Sequence, residues 1–255
     1  MSAVAGLAPP SRRGRFDNLL LALAALALWQ AVYWYVGESA IASPLATAAF
    51  LAEFLRGANF WSHFAATMTA FGAALAISAV LGVAAGLILG ARRFAGDVAE
   101  PLLAGLYAIP KITLYPVILL IFGLGISAKV AFGVIHGVIP IAIFTLGAVK
   151  NVSPVLLRAA RAMRLSQADT IRAVLAPAIL PELMTGLRVG FSLTLLGVLI
   201  GEMFASQRGL GFLIVNGTAL HNVRLSTGMI VVVVGFALLA NGLMRRLERR
   251  ASPAR

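Results

Sequence analysis

The sequence predicts an all-α, polytopic membrane protein of six transmembrane helices, with a cytoplasmic loop of short helices between spans four and five. Composition carries the class: 60% of the 255 residues are hydrophobic and only 12% are charged, where a soluble domain carries roughly 25%. Apolar runs near twenty residues recur, each long enough to cross about 30 Å of hydrocarbon as a helix. Runs such as Leu19 to Leu28 do not alternate, which disfavours the roughly ten-residue strands of a membrane barrel.

The first span covers 18–36, and Tyr33, Trp34 and Tyr35 form an aromatic belt at its outer end. A cleaved signal peptide is its rival reading, because Arg12-Arg13 precedes it and Ala40-Ile41-Ala42 resembles a cleavage site. The apolar core is longer than the roughly 7–15 residues of such a peptide, which favours a retained helix. Outside, Ser43-Pro44-Leu45 opens a stretch to Trp61 that fits one short interfacial helix, with Leu45, Ala48, Ala49, Ala52 and Leu55 as its apolar face. The second span, 64–89, leads into a stripe of Gly82, Gly86 and Gly90. Gly197 and Gly201 repeat the spacing, which lets helices approach closely.

The third span, 102–122, holds Lys111 between Pro110 and Pro116. A central Lys costs about 2.5–3.5 kcal/mol, and each Leu, Ile, Phe or Val offsets about 0.3–0.6, so the span still inserts. The prolines free backbone carbonyls, which suits a helix lining a cavity. Lys111 either attracts an anionic substrate or gates its path, or it snorkels and pairs structurally. Spans at 130–149, 187–205 and 227–243 complete the six. Glu202, in the fifth, is a possible partner for Lys111, and Lys111, Tyr115 and Glu202 are the candidate residues of a translocation path.

Orientation follows from the cations. With the N-terminus inside, sixteen of the 21 Lys and Arg residues fall in cytoplasmic pieces, including Lys150, Arg158, Arg161, Arg164, Arg172 and Arg188 of the central loop. Only Arg56, Lys129, Arg208 and Arg224 fall outside. This bias places both termini and the loop in the cytoplasm. The net charge of +12 reflects that bias, and no basic-aromatic nucleic-acid module accompanies it. There is no cysteine, so thiolate metal sites and disulfides are excluded. His63, His136 and His221 have no ligand spacing, so no metal is expected. No phosphate-binding G-x-x-x-x-G-K-[ST] sequence is present, so this chain is expected to bind no ATP or other cofactor of its own.

The central loop is too ordered for a mere connection. Ser153 is a good N-cap and Pro154 suits the first helical position. At 100° per residue, Leu156, Ala159, Ala160 and Met163 share one arc, with Arg158, Arg161 and Arg164 opposite. Ser166 and Asp169 resemble a capping box for a second short helix, which must end or kink near Pro177, with Pro181 one turn on. Such arginines fit either anionic lipid or a docking partner.

In order and spacing the loop resembles the cytoplasmic "EAA" loop of binding-protein-dependent ABC transporter permeases. That pattern is Glu-Ala-Ala, three residues, Gly, nine residues, then Ile-x-Leu-Pro. Ala159, Ala160 and Pro177 match it and Val174 replaces the Ile; Arg158, Arg164 and Ala176 depart from it. Ala108-Ile109-Pro110-Lys111, Ile121-Phe122-Gly123-Leu124-Gly125, and Gly201-Glu202-Met203 followed by Gly209-Leu210-Gly211 are similar too. The likeness is strongest to permeases for nitrate, taurine and aliphatic sulfonates.

The resemblance implies a cytoplasmic tail (1–17), a permease domain (18–246) with its coupling loop at 151–186, and a second tail (247–255), in a bacterial inner membrane. Arg158, Ala159, Ala160, Arg161, Met163, Arg164, Leu165, Asp169 and Pro177 would form the ATPase contact. Two permease copies would form the pathway, and ATPase subunits would hold ATP and Mg. A periplasmic binding protein would deliver a small, anionic solute. The Gly replaced by Arg164 would permit a left-handed turn, so the turn is expected to shift to Leu165–Ser166. Arg158 reverses a charge at the contact, which implies a matching acidic group on the ATPase. The rival class is an ion-gradient-driven secondary transporter, which would favour more ionisable residues at mid-membrane and inverted repeats. Because the chain has no native cysteine, an Arg161→Cys variant tests the orientation. A membrane-impermeant thiol reagent is expected to label it in inverted vesicles and not in intact cells.

Overall fold

Backbone groups in hydrocarbon must be satisfied internally, and the apolar segments fold accordingly. The computed structural model describes residues 12–251, and every element among them is helical. The expected loose N-terminal dozen residues, apart from Arg12, lie outside the described residues, as does Arg255.

Helix α1 is Arg12–Val36, α2 Pro44–Phe54, α3 Ala58–Gly90, α4 Arg93–Ala108 and α5 Tyr115–Phe122. They are followed by α6 (Ile126–Lys150), α7 (Pro154–Ala162), α8 (Gln167–Thr170), α9 (Ala176–Ala205), α10 (Leu210–Ala219) and α11 (Val223–Ala251). Five helical stretches are long and apolar enough to cross a membrane, and six if a bent pair counts as one span.

That bent pair corrects the third span. Its two arms, Arg93–Ala108 and Lys111–Phe122, meet at 82°. Proline disfavours the helical region in the residue before it, and Ile109 is extended (φ −62°, ψ 132°). A single 3₁₀ turn, Lys111–Leu114, restarts the chain. The freed Pro110 carbonyl accepts hydrogen bonds from the Thr113 N–H (3.1 Å) and hydroxyl (2.8 Å). Pro116 then sits in the first turn of α5, where its missing N–H leaves no helical bond unmade.

The expected interfacial helix is also corrected. Ser43 caps α2, its hydroxyl accepting from the Ala46 N–H at 3.2 Å. The helix stops at Phe54, however, and α3 begins at Ala58, well before the expected start of the second span. Leu45, Ala48, Ala49 and Ala52 are exposed, while Thr47 is buried and Phe50, Leu51 and Phe54 pack on the core. Since α2 is alanine-rich on every side, its large side chains at i, i+3 and i+4 decide which face turns inward.

The centre of the bundle is α6, gripped between α3 and α9. A Cβ on Gly82 would lie 2.7 Å from Ile141 Cβ, on Gly86 2.8 Å from the Ala142 carbonyl, and on Gly90 2.8 Å from Val149 Cβ. On the other side, a Cβ on Gly197 would lie 3.0 Å from Gly133 Cα. The glycine stripe read from sequence is thus a packing surface. Around it Phe60, Phe71, Phe191, Leu195, Val198 and Met229 form a core that continues into α2, α10 and α11. Helix α1 stands apart, with none of Leu19–Val36 buried. One tie near its end is the Trp29 indole N–H, which donates to the Ala42 carbonyl at 3.0 Å.

Gly86→Leu is expected to destabilise the bundle by at least about 1–3 kcal/mol through overpacking. Gly72, with nothing within 4 Å of a built Cβ, should accept Ala without loss. Thermal melting of the detergent-solubilised variants checks both.

Candidate functional site

The central loop begins as its sequence predicts. Ser153 accepts from the Val155 N–H at 3.3 Å and Pro154 opens α7. The end of α7 overturns one expectation. Arg164 itself adopts the left-handed conformation, at φ 52°, so the turn does not shift to Leu165–Ser166. Two bonds explain how a non-glycine residue is held there: Leu165 N–H donates to the Ala160 carbonyl (3.1 Å) and Arg164 N–H to the Arg161 carbonyl (3.0 Å). These are the paired bonds of a Schellman motif. They satisfy the last helical carbonyls and offset the strain of the Arg164 Cβ.

The apolar arc is also redistributed. Ala160 is buried, and Leu157 and Leu165 are half-buried against the chain itself. Leu156, Ala159 and Met163 are exposed together with Arg158, Arg161 and Arg164. The loop therefore presents a mixed apolar and cationic surface that its own chain leaves uncovered.

Asp169 receives the Ser166 hydroxyl at 2.6 Å and returns its backbone N–H to Ser166 Oγ at 3.1 Å. The second short helix does not end near Pro177. A wide π turn, Ile171–Leu175, carries α8 into α9, and Gln167–Phe204 runs on as one 38-residue helical stretch. The Ala176 N–H reaches back five residues to the Ile171 carbonyl, and that widening admits a proline in the following turn. At the foot of α6, Lys150 Nζ binds Asp97 (2.6 Å) and Glu100 (2.7 Å) of α4.

The three pathway candidates do not come together. Lys111 sits in the elbow, where its Nζ donates to the Tyr107 carbonyl at 2.9 Å and lies 5.1 Å from the centre of that ring. Tyr115 is buried; its hydroxyl donates to the Gly201 carbonyl at 2.6 Å and its ring packs edge-on to Phe132. Glu202 is fully buried and its ion-pair partner is Lys129, at 3.8 Å, instead of Lys111. Lys129, read from sequence as an outer-loop cation, lies within α6 and is itself buried.

Around Glu202 the polar groups form a closed knot. The Thr67 hydroxyl donates to the carboxylate at 2.9 Å and the Gly211 N–H at 3.0 Å. Thr67 Oγ1 accepts the Leu210 N–H (2.8 Å), and His63 Nδ1 accepts the Gly209 N–H (3.1 Å). The carboxylate thus satisfies the start of α10, where the helix dipole favours negative charge. Gly209, at φ +125°, passes so close that any Cβ would strike the Glu202 carboxylate. This gives a physical reason for the Gly201-Glu202 and Gly209-Leu210-Gly211 pattern. The sequence carried no signal that Thr67 and His63 belong to it, since single polar residues in an apolar span look incidental.

Residues 78–253 match the family described as binding-protein-dependent transport system inner membrane component. The chain belongs to this family. The permease is 29% identical to the taurine transport system permease protein of Escherichia coli, over 92% of this chain and 90% of that one. It is 27% identical to the nitrate import permease protein of Leptolyngbya laminosa, over 89% and 84%. The inward-facing MetNI methionine ABC transporter shares the fold, with a TM-score of 0.60 at 20% identity, covering 76% of this chain and 94% of that one. The permease is therefore a multi-pass protein of the inner membrane, and the resemblance read from its loop and glycine motifs holds at the level of family.

Removing one member of a buried, paired network leaves the other charge unsatisfied. Glu202→Ala is expected to cost the permease about 3–5 kcal/mol, and the near-isosteric Glu202→Gln clearly less. Melting curves of the two variants in detergent check the order.

Proposed function

We propose that this permease forms the translocation pathway of an ABC importer for small oxyanions of the nitrate, taurine or sulfonate kind. Two copies would pair around the pathway in the lipid bilayer, and a periplasmic binding protein would deliver the solute. Separate ATPase subunits, carrying ATP and Mg, would grip the loop at Arg158, Ala159, Ala160, Arg161, Met163, Arg164, Leu165, Asp169 and Pro177. The observation that carries the reading is the uncovered face of α7. Exposed Val155, Leu156 and Met163 stand beside exposed Arg158 and Arg161, and a mixed face that the described residues leave uncovered suits a protein groove. The similarity to the taurine and nitrate permeases supports the cargo class. The cation bias supports a cytoplasmic location for both termini and the loop.

The mechanism follows from rigidity. Helix α7 is seated on the chain by buried Ala160 and closed by its Schellman bonds, and the Ser166–Asp169 pair starts a helical stretch that ends at Phe204. At about 1.5 Å per residue, this stretch is a lever of roughly 55 Å from the central loop to the knot around Glu202. ATP binding would draw the ATPases together, tilt these levers and switch access from the inner to the outer face. Lys111, held at the exposed elbow, would face the solute between the two copies. Tyr115 and Glu202, both buried in hydrogen bonds, would position the pathway walls.

Uptake of nitrate or taurine into proteoliposomes with permease, ATPase and binding protein, with no ion gradient, tests the class. Transport is expected with ATP and absent without it. Arg158→Glu should weaken assembly with the ATPase by about tenfold or more, and a wild-type affinity would rule out an acidic ATPase contact at this position. Lys111→Ala, inserted normally, should lower uptake.

A further inference from the structure

At the end of the bundle opposite the central loop, Ala66 of α3, the start of α6 and the α9–α10 turn line a half-open cavity of about 650 Å³ that the coupling reading leaves unused. Ser206, Gln207 and Arg208 line it from the α9–α10 turn, with Gly125 and Lys129 from the start of α6. We propose that this cavity is an oxyanion vestibule, where Arg208, on a turn anchored by Lys129, receives the solute's nitrate, sulfonate or carboxylate group before it enters the pathway. The proposal rests on the anionic cargo proposed above and assigns that cargo a site.

Charge balance is the first argument. Two cations line the cavity and no acid does; Lys129 is paired with Glu202 at 3.8 Å, which leaves the charge of Arg208 unbalanced. The neighbouring acid, Glu202, is fully buried behind it and already accepts from Thr67 and Gly211. Lys129, itself buried, gives one N–H to the Arg208 carbonyl at 2.7 Å and so anchors the turn that carries Arg208.

Arg208 is the second argument. Its backbone is fixed on three counts: its carbonyl accepts from Lys129 and from the Ser206 hydroxyl (2.6 Å), and its N–H donates to Ser206 Oγ (3.1 Å). Among the described residues, no carboxylate pairs with its guanidinium. The result is an exposed guanidinium on an anchored backbone, and its fork of donors matches two oxygens of an oxyanion. The volume suits a ligand of a few heavy atoms with its remaining water. Helix α6 adds a weaker contribution, since its N-terminus at Gly125 carries no side-chain cap and its dipole favours an anion there.

The absence of cysteine allows a direct test. The full-length Gln207→Cys permease, with its ATPase, is placed in right-side-out vesicles. Its modification rates with anionic sulfonatoethyl and cationic trimethylammonioethyl methanethiosulfonate are then compared. Adding Arg208→Gln is expected to lower the anionic-to-cationic rate ratio about tenfold, and adding Arg208→Lys to retain most of it. Millimolar nitrate or ethanesulfonate should slow modification of Gln207→Cys and leave the Gln207→Cys/Arg208→Gln double variant unaffected. A ratio indifferent to Arg208→Gln, or no protection by either anion, overturns the vestibule. Labelling requires no transport, so the two proposals fail separately. An uncharged cargo with the anion preference intact removes only the cargo reading, and anion uptake without the preference removes only the vestibule.

Discussion

The whole bundle depends on how closely α6 approaches α3 and α9. With glycines at 82, 86, 90, 133 and 197, backbone replaces side chain at the contact, and dispersion between closely packed surfaces holds the helices where lipid offers no hydrophobic drive between them. Because the contact runs along most of α6, it fixes both ends at once. The end of α6 nearest the central loop presents Lys150 to α4, and the far end presents Lys129 to the α9–α10 turn. Function at either face therefore rests on one line of packing.

Charges inside such a bundle must be satisfied, because burial of an unpaired one costs several kcal/mol. Glu202 shows how this is met: a hydroxyl, a backbone N–H and an ammonium surround one carboxylate. The same groups hold the turn that carries Arg208. A structural requirement and a cationic surface are thereby built from one short segment, 202–211. Substitutions behind the turn and substitutions on it differ in kind, the first changing stability and the second changing charge at the cavity.

Much of this was legible in the sequence. The five unbroken spans follow from hydropathy, the Ser153 and Ser43 caps from local chemistry, and the glycine stripe from its spacing. What stayed hidden depends on tertiary contacts or on competition between local rules. Pro110 breaks its span and Pro177 does not, because a π turn keeps the helix running into the second, whereas Ile109 turns extended before the first and the chain restarts in a 3₁₀ turn. Arg164 takes a conformation that its Cβ resists, because two carbonyls of α7 are satisfied by it. Lys129 reads as a loop cation because its partner, Glu202, is distant in sequence, and no local pattern encodes such a pair. The apolar face of α2 could not be chosen from a helix that is apolar all round.

The connection between the two faces is the continuous helical stretch from Gln167 to Phe204. A hinge at Pro177 would have let the central loop move without disturbing the membrane. The π turn instead keeps the backbone helical through the proline, so a displacement of α7 would have a continuous backbone path into α9. At its far end α9 holds Glu202, which is bound to α3 through Thr67 and to α6 through Lys129. Motion of the lever has only two outcomes: the knot travels with it as a rigid unit, or its hydrogen bonds exchange. The second would expose a buried carboxylate beside a cationic cavity, at a desolvation and pairing cost that the first avoids. Rigid travel, with Arg208 carried along by the turn, would be the lower-energy course and would link the central loop to the far cavity without breaking a bond.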